Sequence, residues 1–159
     1  MHPDYLHVLL NPIPVYGLAM GLLALFIALG LRSRPAQVVA LTVIGLSAAA
    51  AWPVLHYGEK AYDDVMMLTD DPGTKWMDDH RSRAEKSVVG FYILAALSLA
   101  ALVVPRRWPR AQAPLTVSTL VLGVLMLGVG AWIAYAGGRI RHDEFRGTSP
   151  PPAAKAQAE

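Results

Sequence analysis

Charged residues are absent from four long stretches of this chain: Val8 to Leu31, Pro35 to Gly58, Ser87 to Pro105 and Ala111 to Gly138. Each reaches the roughly 17–25 residues with which an α-helix crosses the hydrocarbon core of a bilayer. The pattern predicts an all-α fold, a membrane-spanning four-helix bundle built from two helical hairpins and occupying residues 1–146. Arg32-Ser33-Arg34-Pro35 closes the first hairpin, with Pro35 suited to the start of span two. Pro105 to Pro114 closes the second, with Trp108 at headgroup level. Residues 147–159, rich in Pro and Ala, read as a disordered tail.

The segment between spans two and three is charged but still patterned. Ala61, Val65 and Leu68 keep helical spacing, and Asp70-Asp71-Pro72-Gly73 is a strong turn signal. Helices two and three are therefore expected to continue beyond the outer surface and to meet at Pro72-Gly73. Pro53 is expected to kink span two near its polar end. Gly17 and Gly21 on span one, Gly45, Ala48, Ala49 and Trp52 on span two, and Gly123, Gly128 and Gly130 on span four read as close-packing positions.

Charge orients the bundle. The two tight turns hold Arg32, Arg34, Arg106, Arg107 and Arg110 and no carboxylate, whereas all twelve acidic residues fall on the opposite side. Short arginine-rich loops stay cytoplasmic, so both termini and the long loop are expected outside. The formal net charge of +2 and the pI near 9.0 reflect these turns and do not point to a nucleic-acid partner. Met1-His2-Pro3-Asp4 lacks the basic start of a cleaved signal peptide. Cysteine is absent, which removes thiolate metal sites. No span carries an ionisable residue at its centre, which argues against ion transport. Neither a nucleophile–base pair nor a phosphate-binding loop is visible, so no independent enzyme is expected.

The candidate chemistry is imidazole. His2, His7, His56, His80 and His142 all fall on the outer side, and neutral imidazole is both a common metal ligand and an axial ligand of haem. Counted along straight helices, His7, His56, Glu59 and Glu85 stand within about one helical turn of a common level. His56 and Glu59, three apart, share a helix face, and carboxylate–histidine pairs at this spacing supply ligands in metal-binding bundles. His56 also continues the Gly45/Ala49/Trp52 face, which is expected to turn inward. A haem would draw its ligands from His7, His56, His80 and His142; a transition metal would recruit His7, His56, Glu59 and Glu85. Met66-Met67, on different helix faces, read as packing residues.

His2-Pro3-x-x-Leu6-His7, Pro12-Ile13, His80 and Gly137-Gly138-Arg139-Ile140-Arg141-His142 together resemble a bacterial family of four-helix inner-membrane proteins. That family is known mainly as a domain of unknown function, sometimes fused or adjacent to c-type cytochrome domains. The chain departs from its pattern in two places: Val8-Leu9-Leu10-Asn11 intervene after His7 where the family has an earlier proline, and Asp143-Glu144 replaces a glycine-rich end after His142. The resemblance spans His2 to about Phe145 and implies the inner-membrane location, the four spans and the interest of the histidines. Three functions stay open: a redox or metal-binding membrane protein carrying haem b or a divalent metal, a non-catalytic accessory subunit of a larger membrane complex, and an outer-face pH sensor.

Overall fold

The computed structural model describes residues 2–147 together with Ser149 and Pro151; most of the predicted disordered tail lies outside them. The helices are α1 (Pro3–Leu10), α2 (Leu18–Gly30), α3 (Arg34–Ala49), α4 (Ala51–Met66), α5 (Asp71–Val103) and α6 (Gln112–Gly138), with no strand among the described residues. A π-helical turn, Ile13–Gly17, joins α1 to α2. The pieces make four rods long and apolar enough to cross a membrane: Pro3–Gly30, Arg34–Met66, Asp71–Arg106 and Pro109–Gly137. This is the predicted all-α architecture of four apolar helices.

Local chemistry sets the breaks. Pro12 and Pro14 lack an N–H, so the helical ladder cannot run through them, and the chain takes the wider π turn instead. Pro53 acts in the same way: α3 ends at Ala49, the residue four before it, and α4 resumes at Ala51. The turn expected at Pro72-Gly73 lies earlier. Asp70 caps α5, its Oδ1 accepting from the Gly73 N–H at 3.1 Å, and Pro72 sits in the first helical turn, where its missing N–H costs nothing. Helix therefore begins at Asp71, and Met67 to Asp70 make the turn.

The half of the bundle nearer the arginine-rich turns is closely packed. Leu18, Leu25, Ala40, Leu41, Ile44, Ala48, Leu94 and Ala101 are fully buried. Small residues let the backbones approach, as expected where lipid supplies no hydrophobic drive between helices. Gly21 stands against Ile44, Gly45 against Ser98 and Gly123 against Leu22. Gly128 faces open space and takes no part in packing.

The two hairpins repeat one burial pattern. The spacing from His7 to His80 also pairs Leu18 with Phe91, Leu25 with Ser98 and Ala28 with Ala101, all buried. In the second helix of each hairpin, the spacing from Gly58 to Gly137 pairs Ala40 with Thr119, Ile44 with Gly123 and Ser47 with Met126, again all buried. Equivalent positions of the two hairpins thus face the same interior.

Candidate functional site

Towards the predicted outer end the helices part around a cavity of about 870 Å³ lined by α1, the π turn, α4, α5, α6 and the segment after it. Its deeper lining is apolar and includes Val15, Ala51, Val88, Phe91 and Gly130. His7 and His80 project into it from different hairpins, with ring centres 6.3 Å apart and ring planes at 84°.

Both rings are fixed in the same way. His7 Nδ1 lies 2.8 Å from the Val54 carbonyl oxygen, and His80 Nδ1 lies 2.9 Å from that of Ile133. A carbonyl only accepts, so Nδ1–H is the donor in each ring, and in the neutral imidazole Nε2 keeps its lone pair. Histidines that bind metals are commonly oriented by such a bond to the backbone. Four residues beyond each acceptor, one turn along the same helix, a glycine makes room. A Cβ at Gly58 would stand 2.9 Å from His7 Cε1, and one at Gly137 would stand 3.0 Å from His80 Nδ1. The ring, its acceptor carbonyl and its glycine seat thus occur once per hairpin.

Further contacts hold the walls. Arg83 donates from Nη1 to the Trp132 carbonyl at 2.6 Å, pairs with Asp79 at 2.7 Å and lies over the Trp132 ring. Adjacent carbonyls of α6, those of Trp132 and Ile133, therefore both receive donors from α5. Tyr62 donates to Asp78, joining α4 to α5. Beyond α6 the chain folds back over the mouth, where Arg146 pairs with Asp70 at 2.6 Å and also donates to the carbonyls of Arg139 and Ile140. The hydrogen bond from Arg146 holds the exposed Asp70 carboxyl below the usual carboxylate range.

The other candidates stand apart. His56 stacks on Trp52 with ring centres 5.4 Å apart and does not line the cavity. Trp52 is 60% exposed, so the face expected to turn inward points out at this level. The inward stripe is Ile44, Ala48, Ala51, Leu55 and Gly58, displaced from the expected one by a single residue, or about 100° around the helix. His142 is exposed and pairs with Glu144 at 2.9 Å. Glu85 pairs with Arg81 but does not itself line the cavity. Glu59 does reach the cavity wall. The set His7, His56, Glu59 and Glu85 is not brought together, and among the described residues no three His, Asp or Glu side chains converge as a metal-holding group.

Sequence reasoning named both histidines but missed their pairing and the glycines beneath them. The available signal was the repeat: His7 and Gly58 recur as His80 and Gly137 at matching places in the second hairpin. Comparison with protein-family models, with curated proteins and with solved structures finds no match for this chain.

Proposed function

We propose that this chain is a multi-pass protein of the bacterial inner membrane that holds one b-type haem between His7 and His80 and passes electrons at the outer face. The observation that carries the reading is the imidazole pair. Two rings on opposite sides of a single metal, each at a metal–nitrogen distance of roughly 2 Å, would have centres roughly 6 Å apart. The observed separation is 6.3 Å.

The surroundings favour a macrocycle over a bare ion. Two imidazoles without a third converging ligand leave an ion short of donors, whereas a porphyrin brings its own equatorial nitrogens and needs only axial partners. The cavity volume lies within the roughly 300–1,000 Å³ of small-molecule sites, and its deeper lining is apolar. His7 and His80 would both be spent in holding the haem iron, leaving it to supply one-electron chemistry rather than a site for substrate, so electron transfer fits better than catalysis.

The arginine-rich turns support an orientation with both termini outside, in which the cavity opens at the outer surface. A cytochrome partner on that side accords with the family resemblance.

The test is an absorption spectrum, oxidised and dithionite-reduced, of protein purified in mild detergent, with metal analysis of the same sample. A sharp reduced α-band with about one iron per chain is expected. No band, in folded protein expressed with haem supplied, would overturn the reading and favour the accessory subunit. Stoichiometric metal without a band would favour an ion.

A further inference from the structure

The cavity has a chemically divided rim. Its acidic lining residues, Asp4 and Glu59, belong to the first hairpin; its arginines, Arg81 and Arg141, belong to the second hairpin and the segment following it. The repeat makes the division sharper. At the spacing that relates the paired histidines, Arg81 stands where the first hairpin has Val8; at the spacing that relates the paired glycines, Arg141 stands where it has Tyr62. All four of these residues line the cavity. A scaffold that is nearly repeated in its core is thus made unequal in charge at its mouth.

Arg81 is held at the rim by contacts of its own, and Arg141 by the anchoring of the segment that carries it. Arg81 follows His80 directly and lies over the Tyr62 ring, 5.0 Å from its centre, while Glu85 takes its Nε at 2.7 Å. Arg141 lies in the segment fastened by Arg146 to Asp70, and it lines both the large cavity and a smaller polar one that continues from its mouth. On the first hairpin, Asp4 Oδ1 is buried without a hydrogen-bond partner and would repel an anionic group placed beside it.

We infer that Arg81 and Arg141 bind the carboxylates of the macrocycle, so that its acid edge leans over the second hairpin and its apolar edge points to Val15 and Phe91. This rests on the haem reading above and adds to it both an orientation and a ligand requirement. The site should take a porphyrin bearing free carboxylates in preference to its ester. A charge-assisted hydrogen bond is strong enough for the loss of one to cost about tenfold in affinity.

The probes are iron protoporphyrin IX and its dimethyl ester, titrated into the apoprotein in detergent. The wild type is expected to bind the acid about tenfold or more tighter than the ester. Arg141→Gln and Arg81→Gln should each weaken acid binding and leave ester binding unchanged. Equal affinity of the wild type for acid and ester would overturn this inference while leaving the haem reading intact. Equal losses of acid and ester in the variants would do the same. Failure of the wild type to bind either form would overturn both. The wild-type comparison decides the matter even if a variant does not fold.

Discussion

The half of the bundle nearer the arginine-rich turns and the half nearer the termini, predicted to be inner and outer, use the same four rods differently. In the inner half small side chains let the backbones close on one another, and Leu41, Ile44 and Leu94 are fully buried. In the outer half the rods part around a cavity, and polar tethers hold the walls: His7 to Val54, His80 to Ile133, Arg83 to Trp132 and Tyr62 to Asp78. Two interruptions, the π turn at Ile13–Gly17 and the break at Ala50, fall near the boundary between these regions. Apolar packing thus builds the frame, whereas directional bonds aim the groups proposed to carry chemistry.

The largest effect should come from breaking the frame. Leu94→Ala is expected to cost about 2–5 kcal/mol of stability, the range for emptying a fully buried leucine site. Unfolding in mixed detergent micelles measures it, and His7→Ala should cost far less. A smaller cost for Leu94 than for His7 would reverse the roles assigned to the two halves.

Next come the ring seats. Gly58→Ala and Gly137→Ala force the histidine rings to move and should lower haem affinity about 10- to 100-fold, as loss of an orienting contact typically does at metal sites. Gly128→Ala, at a glycine facing open space, should change nothing. Absorbance titration with haem separates these outcomes, and unaltered binding by both seat variants would show that the rings are not held by the glycines.

The smallest effect belongs to the strap over the mouth. Asp70→Asn removes the carboxylate that Arg146 grips, and amide exchange over residues 139–146 should rise about two- to fivefold, as suits an exposed ion pair. Because Arg146 holds the Asp70 carboxyl below its usual range, the tie is complete at neutral pH and is lost as pH falls through that depressed value. Exchange corrected for its intrinsic pH dependence should therefore stay flat upward from the ordinary carboxylate range and rise only in acid. A rise beginning near neutrality would mean that another group controls the strap.

Much of the frame was legible in the sequence because a bilayer imposes a coarse rule: uncharged runs of sufficient length become helices, and their ends carry the charge. The ends of helices followed finer chemistry. Asp70-Asp71-Pro72-Gly73 reads as a turn, yet the same residues make an N-cap and first helical turn, since aspartate and proline serve both. The site was half legible. His7 and His80 are among the candidates, but so is His56, because the spacing of Gly45, Ala49 and Trp52 predicts an inward face there. A one-residue error in phase turns a helix by about 100°, enough to exchange inside for outside. Comparing His7/Gly58 with His80/Gly137 would have fixed that phase, because a repeated pair constrains the face more tightly than one helix alone.

The most direct test is the reduced-minus-oxidised spectrum of His7→Ala, His80→Ala, His56→Ala and His142→Ala proteins beside the wild type. The band should be lost or grossly altered in the first two and kept in the others. A band that survives loss of either His7 or His80, or vanishes with His56, would contradict the pairing of the two hairpins' histidines across the cavity.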